Sequence, residues 1–78
     1  MRILIVQGRR PLAALWQRHL ETKGFLVRVA TSEADALSAL SEETFAVIIT
    51  DVEIDGNSVL SVCDMAQIRQ PDVRVIFA

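Results

Sequence analysis

Three carboxylates, Asp51, Glu53 and Asp55, occupy alternate positions directly after an apolar run that extends from Phe45 to Thr50. A short run of this kind, rich in β-branched residues, predicts a strand buried on both faces, as in a parallel sheet. A carboxylate at the carboxyl end of such a strand lies at the edge where open α/β sheets bind their ligands. Asp51 is therefore the leading candidate for chemistry, and the acidic turn that ends at Gly56 forms its surroundings.

The other residues with reactive side chains have plainer interpretations. His19 is predicted to be a core or boundary residue of a helix, and Cys63 a small buried side chain. Arg9 and Arg10 are typical of a solvated helix start. Gly8 stands alone, without the glycine spacing of a phosphate-binding loop, so no nucleotide cofactor is predicted.

The apolar periodicity predicts four strands that alternate with three helices. Pro11 is suited to the first turn of one helix, and the segment Thr31-Ser32-Glu33 supplies an N-cap for the next. Gly24 and Pro71 are suited to positions just after helix ends. The order βαβαβαβ implies a parallel sheet with right-handed crossovers. The predicted strands are Arg2–Val6, Phe25–Ala30, Phe45–Asp51 and Val73–Phe77.

Composition narrows the class of protein. The 78 residues are 51% hydrophobic with a net charge of −2, and mean hydropathy is +0.35. We expect one domain, 1–78, without a basic surface for nucleic acid and without a membrane span. The single cysteine and the absence of a signal-peptide pattern favour the cytoplasm. The apolar excess indicates either a compact α/β core or a surface that binds a partner.

These segments resemble the receiver domain of bacterial two-component response regulators over the whole chain. Arg2–Val6 is similar to the family's first strand, Phe45–Asp51 to its third, and Pro71–Phe77 to the approach to its fourth. The resemblance implies a flavodoxin-like three-layer α/β fold, here a truncated sheet of four strands in the order 2-1-3-4 with three helices. It also implies a phosphorelay signalling module rather than an enzyme, with Asp51 as phosphoacceptor and a histidine kinase or another signalling protein as partner.

The resemblance breaks down after the first strand. Receivers place there a pair of acidic residues that help to bind Mg²⁺, whereas this chain has Gln7 and Gly8. Mg²⁺ is usually held by carboxylates and phosphate oxygens. We therefore expect no certain cofactor, with Mg²⁺ binding impaired. Asp51 and Glu53 are the remaining candidate ligands, and the alternative for Glu53 is a solvated acidic turn.

In the family the pattern continues beyond the position of Ala78, with a Thr or Ser switch residue after the fourth strand and a Lys on a fifth strand. This sequence has no counterpart of either residue. We expect either a truncated chain or a naturally shortened receiver, with bare apolar faces and an open edge at the fourth strand. A homodimer is predicted, with Trp16, Arg74, Val75 and Phe77 at the interface. Two alternatives stay open: a conventional Mg²⁺-dependent phosphoacceptor, and the N-terminal part of a longer transcriptional regulator.

Overall fold

The computed structural model describes all 78 residues and contains three helices and six strands. The two shortest strands form a hairpin between the third long strand and the last helix. The elements in chain order are β1 (Arg2–Val6), α1 (Arg10–Thr22), β2 (Leu26–Ala30), α2 (Glu33–Glu42), β3 (Val47–Thr50), β4 (Glu53–Ile54), β5 (Asn57–Ser58), α3 (Leu60–Arg69) and β6 (Arg74–Phe77).

The four long strands form one parallel sheet in the order β2-β1-β3-β6. This arrangement confirms the predicted order 2-1-3-4, since β6 is the fourth long strand. Ile5 of β1 lies beside Val29 of β2 and Ile49 of β3, and Ile49 lies beside Ile76 of β6. Because paired residues in a parallel ladder point to the same face, this register defines two faces of the sheet.

The face with α2 and α3 carries the main hydrophobic core. Leu4, Val6 and Ile48 are almost completely buried there, and Val75 packs against the same cluster. Ile3 and Ile5 point to the opposite face, where α1 packs on β1 and β2. The protein is thus a three-layer α/β structure, with α1 alone on one side of the sheet.

The helix ends follow the local sequence signals. The Ser32 hydroxyl oxygen accepts a hydrogen bond from Asp35 N at 3.1 Å, which makes Ser32 the N-cap of α2. Pro11 lies in the first turn of α1, and Gly24 follows the C-cap of that helix with a φ of +91°. Only glycine adopts this left-handed backbone conformation without strain.

The acidic turn after Asp51 is a two-residue β-hairpin, which the sequence prediction missed. Glu53 pairs with Ser58 and Ile54 with Asn57. The two residues at the tip, Asp55 and Gly56, have φ values of +55° and +74°. Asp-Gly is a preferred pair for this type of turn because Gly, and to a lesser degree Asp, tolerates positive φ. The hairpin buries Ile54 in the main core, which fixes the segment that follows Asp51.

Candidate functional site

The carboxyl ends of the four parallel strands lie along one edge of the sheet, and Asp51 is near the middle of this edge. The backbone ladder continues one residue beyond three of the strands, so the first residue after β1, β3 and β6 is hydrogen-bonded to the neighbouring strand. These bonds are Gln7 N to Ala30 O at 3.0 Å, Asp51 N to Val6 O at 3.1 Å and Ala78 N to Thr50 O at 3.0 Å.

The Asp51 side chain is partly exposed at this edge. Its Oδ1 atom accepts a hydrogen bond from Val52 N at 2.7 Å. The backbone oxygen of Asp51 accepts a bond from the hydroxyl of Thr50, which is fully buried. The first contact orients the carboxylate and the second holds the backbone, and Oδ2 has no hydrogen bond from the protein.

Gln7 occupies the position after β1 and is only 2% exposed. Its Oε1 atom accepts a hydrogen bond from Arg9 N at 3.0 Å. Since a backbone N–H can only donate, the side-chain atom that receives it must be the amide oxygen and not the amide nitrogen. The oxygen that could serve as a metal ligand is therefore bound to the start of α1.

Gly8 offers no side chain next to Gln7. A Cβ atom placed there would lie 3.8 Å from Thr31 O, an ordinary van der Waals distance, and the backbone is outside the left-handed region. The position therefore has room for a larger residue.

The other two acidic residues of the turn point in different directions. Asp55 Oδ2 accepts a hydrogen bond from Glu33 N at 2.9 Å, so this carboxylate caps the amino terminus of α2. Glu53 lies exposed on β4. No group of three or more His, Cys, Asp or Glu side chains comes close enough together to hold a metal ion.

The predicted interface residues lie on two elements, Trp16 on α1 and the other three on β6, and those on β6 do not all share one face of the sheet. Val75 faces the core side together with Phe77, which is 51% exposed. Arg74 is exposed on the α1 side, where it is paired with Val47. Trp16 lines an apolar groove of about 470 Å³ on that same side. The groove is formed by Leu15, Trp16, His19, Leu20, Ile49 and Ala78.

His19 is exposed on α1, where it lines the apolar groove, so it lies at the boundary of the apolar face and not in the core. Cys63 is partly buried on α3, next to the core. Burial raises the pKa of its thiol above the usual value, and the negative charge of Asp64 adds to this effect.

Sequence reasoning missed two contacts that shape the site. One is the cap that Asp55 provides for α2, and the Asp-Gly pair was the available signal for the hairpin that places it. The other is the bond between the Gln7 side chain and Arg9 N. No sequence signal identifies it, because the bond depends on the rotamer that Gln7 adopts in the folded chain.

Comparison with known proteins establishes the family. Residues 3–78 match the family described as the response regulator receiver domain. The chain therefore belongs to the receiver domains of two-component signalling, as predicted from its resemblance to them. No curated protein matches it. No helix in it has both the length and the apolar character needed to cross a bilayer.

Solved structures agree with this assignment. The response regulator TrrA from Thermotoga maritima, in complex with Mg²⁺ and BeF, is 25% identical with a TM-score of 0.86, over 97% of this chain and 66% of TrrA. A response regulator from Burkholderia pseudomallei with a phosphorylated aspartic acid, a calcium ion and citrate is 30% identical with a TM-score of 0.90, over 95% of this chain and 44% of that one. TrrA bound to the histidine kinase ThkA gives 25% identity and a TM-score of 0.84 over the same shares. The chain thus spans from under half to about two thirds of these relatives.

Proposed function

We propose that this receiver domain carries its phosphoacceptor position at Asp51, that its metal-dependent phosphorylation is impaired, and that it acts through protein–protein contact. The support for Asp51 is its place at the carboxyl edge of β3 with a side-chain oxygen, Oδ2, that no protein group engages. The relative from Burkholderia pseudomallei contains a phosphorylated aspartic acid.

The observation that carries the metal part of the proposal is the Gln7–Arg9 hydrogen bond. Mg²⁺ needs oxygen ligands near 2.1 Å in an octahedral arrangement. Gln7 offers only a neutral amide oxygen that already accepts one hydrogen bond from Arg9 N, Gly8 has no side-chain donor, and Asp55 accepts a hydrogen bond from Glu33 N of α2. The residues present therefore fit Mg²⁺ poorly, with Asp51 and the exposed Glu53 as the only remaining carboxylates nearby.

The expected loss of rate is large. A bound cation that neutralises charge on a phosphoryl group contributes several kcal/mol. A loss of about 4 kcal/mol corresponds to a rate roughly a thousandfold lower. We therefore expect slow modification of Asp51, with little dependence on Mg²⁺.

Acetyl phosphate tests this proposal directly. In the reaction Asp51 Oδ2 attacks phosphorus, the bond from phosphorus to the acetate oxygen breaks, and acetate leaves with the electron pair. Intact-mass spectrometry with and without Mg²⁺ measures the modified fraction over time. We expect little modification of the wild type and none of Asp51→Asn.

A double variant, Gln7→Asp with Gly8→Asp, restores the acidic pair at positions that can accept side chains. We expect Mg²⁺ to accelerate its modification by at least about a hundredfold over the wild type. Gln67→Asp, an exposed change on α3, is the matched control and should behave like the wild type. Equal and rapid Mg²⁺-dependent labelling of wild type and double variant would contradict the proposal.

The proposed partners are a histidine kinase and a second copy of this chain. TrrA, a structural relative, forms a complex with the histidine kinase ThkA. Self-association is supported by the apolar groove at Trp16 and by the exposed residues of β6, with Arg74, Val75 and Phe77 as proposed contacts. Light scattering at several protein concentrations tests the dimer.

A second candidate is a conventional Mg²⁺-dependent receiver, or the amino-terminal part of a longer transcriptional regulator. The metal ions in the two relatives and the exposed Glu53 favour the former. The 44% share of the relative from Burkholderia pseudomallei is compatible with the latter. The assignment of residues 1–78 to a single domain, the cytoplasmic location, the lack of enzymatic activity and the absence of nucleic-acid contact stay predictions.

A further inference from the structure

Gln7 and Asp51 are neighbours at the carboxyl edge of the sheet. The strand register pairs Val6 with Thr50, and the ladder continues one residue further through the bond from Asp51 N to Val6 O. Gln7 and Asp51 therefore follow in register on adjacent strands, with their backbones about 4.8 Å apart. Because side chains alternate along a strand and Val6 points into the core of α2 and α3, both side chains point to the side of α1.

The amide nitrogen of Gln7 is a free hydrogen-bond donor. Gln7 Oε1 accepts the bond from Arg9 N, whereas no oxygen of the protein accepts a bond from Gln7 Nε2. The residue is only 2% exposed, yet every fully buried nitrogen or oxygen atom of a side chain has a partner. Nε2 must therefore reach the small part of Gln7 that is open to solvent. A nearly buried donor without an acceptor is suited to an oxygen atom from outside the protein.

The start of α1 supplies further donors beside this amide. Arg9 is the N-cap of the helix, and its N–H is bound by Gln7. The backbone N–H groups of Arg10 and Leu12 have no acceptor in the protein, and the first turn contains no acidic residue. The positive end of the helix dipole thus has free N–H groups, an arrangement that favours the binding of oxyanions.

The charged side chains on this side of Asp51 are positive. Arg9 and Arg10 are exposed, and the ion pairs of the protein involve other arginines. The first acidic residue of the chain is Glu21, in the last turn of α1. The segment that follows β1 therefore carries two positive charges and no negative one. Such a local charge attracts an oxyanion and repels a metal cation.

We propose that Gln7 Nε2, the first turn of α1 and the side chain of Arg10 form a metal-free site for the phosphoryl group carried by Asp51. This inference rests on the proposed phosphoacceptor and names the groups that take the place of a cation. Gln7 Nε2 donates to one phosphoryl oxygen, while the helix terminus and the Arg10 guanidinium group supply positive charge to the others. Hydrogen bonds to a charged oxygen are stronger than those between neutral groups.

Beryllofluoride is the probe for this site, because tetrahedral beryllium bound to a carboxylate oxygen resembles a phosphoryl group in shape. The Asp51 oxygen displaces water from the hydrated beryllium fluoride anion, so the measurement is an equilibrium and does not depend on the rate of phosphoryl transfer. The relative TrrA forms its complex with both Mg²⁺ and BeF. We expect this chain to bind beryllofluoride without Mg²⁺, as measured by fluorine NMR, and Asp51→Asn not to bind it.

Two variants and their controls locate the donors. Gln7→Met keeps the length of the side chain but removes the amide, and should raise the Kd for beryllofluoride without Mg²⁺ at least about tenfold. Arg10→Ala should raise it about threefold or more. Gln67→Met, exposed on α3, and Arg18→Ala, exposed on α1 about 12 Å further along the helix, should bind like the wild type. The Arg18 control loses the same charge and so separates a local contact from the overall charge.

The side-chain amide of Gln7 provides a second measurement on the unaltered chain, which does not require that Gln7→Met folds. Its two protons give separate signals in a proton–nitrogen NMR spectrum. Both signals should shift when beryllofluoride binds without Mg²⁺, and exchange of the hydrogen-bonded proton with solvent should slow. The amide signals of Gln67 should stay unchanged.

Each other outcome overturns a defined part of the inference. Binding with unchanged Gln7 signals, or with equal affinity in the wild type and Gln7→Met, overturns this site and leaves the proposed phosphoacceptor intact. Equal losses in Arg10→Ala and Arg18→Ala remove Arg10 from the site. Binding that requires Mg²⁺ overturns the site together with the impaired metal dependence. No binding under either condition overturns the site alone, because labelling by acetyl phosphate tests Asp51 separately.

Discussion

Gln70 connects the end of α3 to the segment that leads into β3, the strand before Asp51, and its replacement by alanine should destabilise the whole domain. Gln70 is 9% exposed. Its Oε1 atom accepts a hydrogen bond from Phe45 N at 2.7 Å. Its Nε2 atom donates to Leu40 O at 3.1 Å and to Glu43 O at 2.7 Å. One side chain thus satisfies three backbone groups of the connection between α2 and β3.

The three hydrogen bonds set the magnitude of the effect. A net contribution of about 1 kcal/mol for each bond, with backbone groups left unpaired when it is lost, gives about 2 to 4 kcal/mol for Gln70→Ala. A domain of this length has a free energy of unfolding of about 4 to 12 kcal/mol. The substitution should therefore remove a large part of the stability and lower Tm by about 10 to 30 °C.

Urea unfolding followed by far-UV circular dichroism measures this free energy. Gln67→Ala, three residues earlier on an exposed position of α3, controls for the change in helix composition and should stay within about 0.5 kcal/mol of wild type. Gln70→Glu keeps the size and the acceptor but loses the amide donor when ionised, so it should also destabilise. A loss below about 1 kcal/mol for Gln70→Ala would refute the reasoning.

Three further outcomes follow from contacts described above. Asp55→Gly keeps the positive φ but removes the cap at Glu33 N, so thermal unfolding should show a loss of about 1 kcal/mol; no loss would mean that the cap is unimportant. Gly24→Ala should cost about 1 to 2 kcal/mol, because the φ of +91° strains alanine while its Cβ meets no atom within 4 Å; equal stability in urea would contradict this. The raised pKa of Cys63 leaves less thiolate in the folded state near pH 8. Its alkylation by iodoacetamide should therefore be slower in the folded chain than in urea, and equal rates would show that burial has no effect.

The sequence was sufficient to predict the four-stranded sheet and its three helices, because each long strand is marked by a short β-branched run and each helix by an apolar stripe. Ser32 and Gly24 mark helix ends through local hydrogen bonding and backbone conformation, which depend only on neighbouring residues. The short hairpin at Asp55 was missed because two-residue strands have no periodicity to detect.

The details of the site were less accessible from sequence. The identities of Gln7 and Gly8 predicted a weakened metal site, but the direction of the Gln7 amide depends on the fold. By contrast, alternation along β6 is a local pattern and was sufficient to predict which of its side chains share a face of the sheet. The buried contacts of Gln70 join α3 to residues 25 to 30 positions earlier in the chain, and local patterns carry no information on such distant partners.

Val52 follows Asp51 directly, and both its backbone N–H and its backbone C=O form hydrogen bonds. Its N–H binds Asp51 Oδ1, and its C=O accepts a hydrogen bond from Val59 N at the start of α3. The hairpin between these two bonds is tied to α2 by Asp55. A covalent adduct on Oδ2 would turn Oδ1 from a carboxylate oxygen into a carbonyl oxygen, a weaker acceptor for the Val52 N–H, and so loosen one short segment attached to two helices. The resulting conformational change would then reach the amino termini of α2 and α3, while the backbone N–H of Asp51 stays hydrogen-bonded to Val6 O.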